Sequence, residues 1–401
     1  MVVLNVLFDE RFGGPQSMVL QVARGLRCKS VETIVVMPRG DPTLRTLLGQ
    51  AGVAYRELDL VRPRMTWNPG AHLRFLVRFW PNVRDLRGLL RETHAQIVHT
   101  NGLMNLQAAI AARLEGVRLI WHLHDIRAPR TVRAVCLPVL HSWADAIAIV
   151  ARAVGEFYFP DPARVAARLH LIYPPVDPGR FNVTVDGSAV RAELGLPPEA
   201  PVVGAVANLS PGKGIEYLLE AAPTIKQRYP TARFIAVGEL LANRRAYWAP
   251  LVARARELGL AQDFIFTGAR HDMPEVYRAM TVYAHPSESE ACGSMAVLEA
   301  SASGVPVVVT DVGGTREAVE HGVTGLLIRP RRPAEIAGAV IRLLESPALA
   351  QTMATAARAR MVEKFALDAC LREHLEMYHA ALGEPPEQQP EREPPGGRRP
   401  D

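Results

Sequence analysis

The sequence predicts an α/β protein with two domains, each built around a parallel β-sheet. Short apolar segments alternate with stretches of helical periodicity along most of the chain. The alternation restarts near residue 180, and 401 residues, 48% of them hydrophobic, exceed what one ordinary domain needs for its core. Because repeated β–α–β units lay their strands side by side in one direction, we expect parallel sheets with helices on both faces.

The first half contains six strand candidates separated by helical segments. They are short apolar runs, which is the pattern of buried parallel strands. The candidates are residues 2–8, 32–37, 53–58, 96–99, 118–124 and 145–150. The run at residues 2–8 lacks a basic start and a cleavage site, so we interpret it as a first strand rather than a signal peptide.

A second series begins after the extended segment Tyr173-Pro174-Pro175, where the prolines disfavour a helix. Its strand candidates are residues 202–207, 233–237, 264–267, 282–285, 305–310 and 325–328, and its helix candidates are 215–229, 244–258, 295–303 and 334–344. Helical periodicity resumes over residues 348–382. We therefore expect one domain over 1–180, a second over 181–360, a C-terminal helix over 361–382 that packs back on the first domain, and a disordered, polar tail over 383–401.

Charge and cysteine content narrow the function classes. The net charge of +5 favours anionic partners such as phosphates or anionic lipid. Nucleic acid is not expected as a partner, since no nucleic-acid-reading motif is present. The four cysteines are scattered without a CxxC pair, which argues against a disulfide framework or a zinc site and suits a reducing cytoplasm. No apolar stretch approaches the roughly 20 residues that cross a bilayer.

Glycine-containing turns follow the first strand of each half. Gly13 and Gly14 separate strand from helix, where backbone amides can approach a phosphate, although an ordinary tight turn is an equal alternative. Pro211-Gly212-Lys213-Gly214 occupies the same place in the second half, and Lys213 is one of only four lysines. A lysine at a helix start opposes the helix dipole, so a bound anion explains it better than water does. Two dehydrogenase-type domains are a weak alternative because neither strand is followed by GxGxxG.

Two glutamates near the fourth strand of the second half are candidate ligand contacts. Glu290 follows the strand candidate at 282–285, at the strand end where parallel sheets bind ligands. Glu299 lies on the next helix among apolar neighbours, where a carboxylate needs a hydrogen-bond donor. Sugar and ribose hydroxyls are suitable donors, while capping or a salt bridge is the common alternative for any single glutamate.

His122 and His124 end the strand candidate at 118–124 and share one face of it. This position points a histidine into the ligand crevice. A metal site is an alternative, but no third ligand stands nearby in the sequence. A structural role suits His122 more than His124.

The segment from Arg62 to Arg91 interleaves seven arginines with aromatic residues. This composition suits an anionic membrane surface or a lipid-phosphate acceptor. An ordinary amphipathic helix with its arginines in water is the slightly favoured alternative.

Taken together, these segments resemble the retaining GT-B glycosyltransferases of family 4 over about residues 1–382. Four segments of the second half follow the family pattern in order: NLSPGKGIEYLLEAAP, FIAVGE, FTGARHDMPEVYRAMTVYAHPSESEACGSMAVLEASASGVPVV and DVGGTREAVEHGVTGLL. The resemblance implies two Rossmann-like domains that face a central cleft. It also implies transfer of a sugar from a nucleotide diphosphate sugar to an acceptor hydroxyl with retention, in bacterial cell-envelope, polysaccharide or glycolipid synthesis.

The resemblance assigns roles around the donor diphosphate. Gly13 and Gly14 match the glycine loop whose amides contact the donor phosphate near the acceptor. His124 matches the active-site histidine near the transferred sugar, and Lys213 matches the lysine that binds the diphosphate. Asn208 stands where the family often has an arginine, which removes one positive charge from the donor site.

The resemblance also assigns roles around the sugar and the nucleoside. Glu290 matches the first of two paired glutamates, which touches the sugar, and Glu299 matches the second, which binds the ribose. The family has seven residues between them and this chain has eight, so we expect a one-residue bulge near Gly293 and keep Glu288 as a minor alternative to Glu290. Arg270 lies in the loop that borders the base, where backbone contacts matter most.

The implied partners are a nucleotide-sugar donor and a saccharide or lipid-linked acceptor. No cofactor and no metal are expected, because Lys213, helix N-termini and glycine-loop amides can stabilise the leaving-group charge. The expected location is the cytoplasm, with peripheral contact to the inner face of the cell membrane through residues 62–91. Two other functions stay open: a nucleotide-sugar-binding protein without transfer activity, and a GT-B nucleotide-sugar epimerase.

Overall fold

The computed structural model contains two parallel sheets, one in each half of the chain, and so confirms the predicted fold class. It describes residues 1–9, 12–40, 42–63, 67–239 and 245–384. The strands of the first sheet are β1 (Val2–Val6), β2 (Glu32–Pro38), β3 (Tyr55–Leu58), β4 (Ile97–Asn101), β5 (Arg118–Leu123), β6 (Ala146–Ile149) and β7 (Leu169–Leu171). They lie in the order β3-β2-β1-β4-β5-β6-β7, and each pair is parallel.

Helices cover the first sheet on both faces. They are α1 (Gly14–Leu26), α2 (Pro42–Gln50), α3 (Pro69–Thr93), α4 (Leu106–Glu115), α5 (Arg130–Trp143) and α6 (Arg152–Tyr158). Helix α1 shows why they form: Pro15 stands in its first turn, where its missing amide hydrogen costs nothing. Met18, Val22 and Leu26 then recur at helical spacing and are buried in the core shared with β1.

The second sheet has six strands in the order β10-β9-β8-β11-β12-β13. They are β8 (Val202–Val206), β9 (Arg233–Val237), β10 (Phe264–Gly268), β11 (Val282–His285), β12 (Val307–Thr310) and β13 (Leu326–Ile328). The helices of this half are α7 (Ser188–Glu193), α8 (Ile215–Arg228), α9 (Arg245–Glu257), α10 (Met273–Ala279), α11 (Met295–Ala302), α12 (Thr315–Ala318) and α13 (Pro333–Glu345).

Strand ends account for most differences from the sequence-based elements. Strand β3 begins at Tyr55 rather than at residue 53, and β4 continues two residues further to Asn101. Strand β7 was not predicted, because three residues are too few for a periodic signal.

The predicted C-terminal helical stretch is two helices, α14 (Pro347–Lys364) and α15 (Leu367–Leu382). The break lies at Phe365, whose side chain is buried and whose carbonyl accepts a hydrogen bond from the amide of Val176 at 2.8 Å. Residues 361–364 therefore belong to α14, which packs on α11 and α13. Helix α15 packs on α1 and beside β5, β6 and β7. Most of the predicted disordered tail, residues 385–401, lies outside the described residues.

The two halves are joined by contacts at the edge where the strands end. The carboxylate of Glu317 accepts hydrogen bonds from the amides of Arg152 at 2.9 Å and Ala153 at 3.1 Å, at the start of α6. The hydroxyl of Tyr173 donates to the same carboxylate at 2.9 Å. Because the strands of a parallel sheet all end at one edge, these contacts bring the ligand-binding edges of the two sheets face to face. Among the described helices, none is both long and apolar enough to cross a lipid bilayer.

Candidate active site

Lys213, Glu290 and His285 meet at the carboxyl edge of the second sheet. Nζ of Lys213 lies 2.6 Å from Oε1 of Glu290, and Nε2 of His285 lies 3.0 Å from the same oxygen. His285 is the last residue of β11, and its Nδ1 faces the hydroxyl of Tyr283 at 3.0 Å. The structure thus brings two predicted site residues together and adds a buried histidine to them.

The glycines of the loop before α8 explain how Lys213 reaches this place. Gly212 and Gly214 both have positive φ angles, 84° and 71°, which residues with a side chain rarely adopt. At Gly214 a Cβ atom would also overlap the backbone carbonyl of Pro286. The carbonyl of Gly212 accepts hydrogen bonds from the amide of Glu288 at 2.8 Å and the hydroxyl of Ser287 at 3.0 Å. The lysine loop is therefore held against the segment that carries Glu290.

Glu290 is ionised at neutral pH in this environment. Burial alone would raise the pKa of its carboxyl group, but the hydrogen bond from His285 and the positive charge of Lys213 lower that pKa to about 2. A carboxylate that stays charged can accept hydrogen bonds from sugar hydroxyls. It also keeps the Lys213 ammonium group in place.

The other two glutamates occupy different surroundings. Glu288 accepts hydrogen bonds from the hydroxyl of Tyr217 and from Nη2 of Arg331, so its carboxylate does not share the Lys213 contact. Glu299 lies on α11 and accepts a hydrogen bond from the hydroxyl of Tyr277 at 2.9 Å. Burial raises the pKa of Glu299 to about 7, which places its titration in the physiological range. The chain bends at residues 291–293 before α11 begins, which is the segment where the spacing of the two glutamates predicts a one-residue bulge.

His124 follows β5 and is oriented by two asparagines. The amide nitrogen of Asn101 donates to Oδ1 of Asn5 at 2.8 Å and to the carbonyl of Val6 at 3.1 Å. Oδ1 of Asn101 therefore faces Nε2 of His124 at 2.9 Å and accepts a hydrogen bond from it. This network places the proton of the neutral imidazole on Nε2 and leaves the lone pair on Nδ1. Burial, and then the neighbouring His374, lower the pKa of His124 to about 3.

Three further histidines pack behind His124. Nε2 of His99 lies 3.0 Å from Nδ1 of His122, Nδ1 of His99 lies 2.9 Å from the hydroxyl of Tyr378, and Nε2 of His122 has no hydrogen-bond partner. One nitrogen each of His99, His122 and His374 lies within 4.8 Å of the others, a spacing that could admit a metal ion. Of the two histidines that the sequence offered for a metal site, only His122 belongs to this cluster; the other two members come from β4 and α15. Burial keeps the pKa of each of these histidines below its usual value.

The glycine turn of the first half faces the start of α11. The carbonyl of Gly13 accepts the amide of Ser17 at 2.9 Å, and Gly13 itself is extended, so the turn leads directly into α1. A Cβ atom on Gly14 would lie 4.0 Å from Cγ of Met295. The amides at the start of α1 are therefore close to the segment between Glu290 and Glu299.

Asn208 and Arg270 differ from the central group in their contacts. Asn208 is exposed in the turn after β8. The guanidinium group of Arg270 pairs with both oxygens of Glu193, at 2.7 and 2.8 Å, and with Asp272. These carboxylates occupy the side chain of Arg270, so a ligand in this loop would meet its backbone. The roles of both residues stay predictions.

Two residues of the network were not among the predicted site residues. His285 ends β11 and Asn101 ends β4, and both are buried. A polar side chain at or just after the carboxyl end of a predicted parallel strand is a signal that could have found both, because ligands bind at that edge of the sheet.

Two protein-family models match the chain, one in each half. The model described as Glycosyltransferase Family 4 matches residues 12–180, and the model described as Glycosyl transferases group 1 matches residues 187–360. The D-inositol 3-phosphate glycosyltransferase of Rhodococcus erythropolis is 35% identical over 235 residues, 58% of this chain and 52% of the relative. Its counterpart from Actinosynnema mirum is 37% identical over 204 residues, 49% of this chain and 47% of the relative. The chain spans about half the length of these curated relatives.

Solved structures resemble the whole described fold. Anabaena HepE in complex with UDP superimposes with a TM-score of 0.81 at 25% identity, over 95% of this chain and 100% of that chain. A glycosyltransferase from Rickettsia africae has a TM-score of 0.82 at 19% identity, over 95% of this chain and 98% of that chain, and supports the fold alone. With one family model on each half and the two facing parallel sheets, the chain belongs to the GT-B glycosyltransferases of family 4.

Proposed function

We propose that this protein transfers a sugar from a nucleotide diphosphate sugar to an acceptor hydroxyl. The observation that carries the proposal is the contact between Lys213 and Glu290 at the carboxyl edge of the second sheet. An ammonium group and a carboxylate that is ionised at neutral pH, side by side, suit a donor with an anionic diphosphate next to a polyhydroxyl sugar. Anabaena HepE, at 25% identity, has been crystallised with UDP-glucose, which supports a donor of this class.

Lys213 stabilises the departing nucleotide diphosphate in this proposal. Cleavage of the bond between the sugar and the diphosphate builds negative charge on the phosphate oxygens, and a preorganised ammonium group lowers the cost of that charge. The amides at the start of α1, opened by Gly13 and Gly14, supply further partial positive charge from the facing half. The Lys213 ammonium group exchanges part of its Glu290 contact for the diphosphate, and Glu290 then accepts hydrogen bonds from the sugar.

His124 and Glu299 hold the two ends of the donor. Because Asn101 accepts a hydrogen bond from Nε2 of His124, the lone pair of the imidazole is on Nδ1, and in this proposal it accepts a hydrogen bond from a hydroxyl of the sugar. Glu299 accepts the ribose hydroxyls. Membership of family 4 favours retention of the anomeric configuration, with the acceptor hydroxyl attacking from the face that the diphosphate leaves.

The acceptor class is proposed from the similarity of the chain to its relatives. Similarity to D-inositol 3-phosphate glycosyltransferases favours a polyol or saccharide acceptor in a bacterial pathway such as envelope, polysaccharide or glycolipid synthesis. A nucleotide-sugar-binding protein without transfer is the second candidate, because Asn208 provides no positive charge at a position next to the lysine loop. A GT-B epimerase would also use the same donor groups.

A donor screen followed by product analysis tests the proposal. Thermal shifts with UDP-, GDP- and ADP-sugars identify the donor, because a ligand that binds only the folded state raises the melting temperature. The selected donor is then incubated with and without candidate acceptors, and the products are followed by proton NMR. Transfer with an unchanged anomeric coupling supports the proposal. Binding without turnover favours the binding protein, a new sugar without acceptor favours an epimerase, and the absence of any nucleotide-sugar binding contradicts all three.

A further inference from the structure

The outer face of helix α3 carries an apolar stripe that the rest of the described chain leaves uncovered. Leu73, Leu76, Val77 and Trp80 are 63%, 67%, 62% and 64% exposed, and their spacing places them on one face of the helix. We call these four residues the α3 stripe. Together with Trp67 they are five of the ten exposed large hydrophobic side chains of the described residues, so the exposure is concentrated rather than scattered.

The stripe lies on the half of α3 that stands away from the protein body. The buried residues of this helix, from Asn82 to Leu90, all belong to its second half. At 1.5 Å per residue the helix is roughly 37 Å long, about twice the length of the strands beside it. Because α3 follows β3 and runs back along the sheet, its first half projects past the carboxyl edge, which is the edge that carries His124.

Side-chain contacts fix the middle of α3 against the segment that follows β3, and that segment against the end of β1. Asn82 accepts the amide of Val61 at 3.0 Å and donates to the carbonyl of Asp59 at 2.8 Å. Arg62 pairs with Asp9, which follows β1, at 3.0 Å. The α3 stripe is therefore held in a defined position near the opening of the cleft.

The charges around the stripe favour an anionic partner. Helix α3 has five arginines and two carboxylates, and its stripe half contains Arg74 and Arg78 without an acidic residue. Both pair with the single carboxylate of Asp59, at 2.8 and 3.1 Å, which leaves one positive charge in excess. Arg84, one helical turn after Trp80 on the same face of α3, is 82% exposed. A second copy of the chain would bring the same arginines against these, so self-association through this face is opposed by like charges.

We propose that the first half of α3 docks the protein on an anionic lipid bilayer. The α3 stripe enters the headgroup region, and the arginines beside it contact lipid phosphates. Docking does not depend on glycosyl transfer. It places the carboxyl edge of the first sheet at the bilayer surface, and the additional step, that the acceptor is presented there from the lipid, rests on the proposed function.

Vesicle flotation tests the docking surface with the full chain. The protein is mixed with vesicles of phosphatidylcholine alone or of phosphatidylcholine with phosphatidylglycerol, at low and high salt. The double variant Leu73→Ser/Trp80→Ser removes the apolar side chains at both ends of the α3 stripe. The matched control Leu114→Ser/Val135→Ser removes two equally exposed apolar side chains from other helices of the same half. Donor binding is measured by thermal shift on every variant.

We expect the wild type and the control to float with the anionic vesicles, and to bind them more weakly at high salt. The stripe variant should bind these vesicles at least about tenfold more weakly than the wild type. A wild type that does not float, or a stripe variant that floats as well as the control, overturns the proposal. A wild-type dimer that the stripe variant abolishes, without vesicle binding, overturns it in favour of self-association. If the wild type shows no donor binding by thermal shift, the proposed function is contradicted, while the flotation result still decides the docking proposal.

Discussion

Oε1 of Glu290 is shared by two nitrogens from different elements, Nζ of Lys213 at 2.6 Å and Nε2 of His285 at 3.0 Å. One carboxylate oxygen thus joins the lysine loop before α8 to the end of β11. The arrangement holds an ammonium group ready at a cleft without a ligand being needed to position it.

Lys213→Ala should reduce transfer by about a hundredfold or more, because the charge on the departing diphosphate loses its ammonium partner. The fold should persist, since Glu290 keeps its hydrogen bond to His285. Lys29→Ala removes an exposed lysine far from the cleft and is the matched control. Steady-state kinetics with the identified donor measures the effect, and equal turnover in both variants would remove Lys213 from the mechanism.

Donor affinity should fall as the pH falls below about 7, because burial raises the pKa of Glu299 to about 7. Ribose hydroxyls donate to the ionised carboxylate, so donor binding favours the form that has lost its proton. The dissociation constant should rise by up to about tenfold per pH unit on the acid side. Calorimetric titrations of the donor at pH values from about 5 to 8, in steps of about half a pH unit, measure how the dissociation constant changes with pH.

Two variants separate Glu299 from other acidic groups. Glu299→Gln should flatten the pH dependence of donor binding. Glu288→Gln should retain it, because hydrogen bonds from Arg331 and Tyr217 keep the pKa of Glu288 below its usual value. If the slope survives in Glu299→Gln, the titrating group lies elsewhere.

Asn101→Ala should lower transfer by about tenfold, because it removes the acceptor that holds the Nε2 proton of His124. Long-range nitrogen–proton NMR spectra report the tautomer directly. In the wild type Nδ1 of His124 should have the chemical shift of an unprotonated nitrogen from about pH 5 to 8, because this whole range lies at least about two units above its pKa of about 3. In Asn101→Ala the two tautomers should mix. A wild-type His124 protonated on Nδ1 would contradict the proposed orientation.

Glu317→Ala should destabilise the contact between the halves by about 1–2 kcal/mol, since it leaves the amides of Arg152 and Ala153 without their acceptor. Urea unfolding measures the change in the free energy of unfolding. Glu320→Ala is the control, because the carboxylate of Glu320 is exposed and forms a long, weak ion pair with Arg360 at 3.8 Å. Its effect on the free energy of unfolding should stay below about 0.5 kcal/mol. Equal effects would show that the cap contributes nothing.

Chelation should leave transfer unchanged, because Lys213 and backbone amides supply the positive charge in the proposed mechanism. The cluster of His99, His122 and His374 makes this a demanding test, since these residues could hold an ion directly behind His124. Activity is compared before and after dialysis against a chelator, with metal content measured by elemental analysis. Activity that disappears with a bound metal and returns with its addition would assign a function to this cluster.

Hydrophobic periodicity predicted most of the fold, because parallel strands buried on both faces are continuous apolar runs. Strand β7 was not predicted, because its three residues are too few to show a hydrophobic period. The break between α14 and α15 at Phe365 was not predicted either, because it is associated with the contact to Val176, almost two hundred residues away. Local patterns cannot show such a contact.

The sequence indicated a candidate site residue most clearly where its local surroundings were unusual. Lys213 stood out between two glycines in a chain with few lysines, and the structure places it against Glu290. The histidine cluster could not be predicted, because His99, His122 and His374 come from two strands and the last helix. Whether a polar residue is close to another from a distant element is a property of the folded chain.

Helix α15 makes the first domain discontinuous in sequence. Met377 and Tyr378 of this helix are fully buried against elements that end some two hundred residues earlier. A fragment that stops at residue 360 would therefore present an unfinished apolar surface on its N-terminal half. During synthesis on the ribosome, the half that emerges first is completed only after the second half has left the exit tunnel.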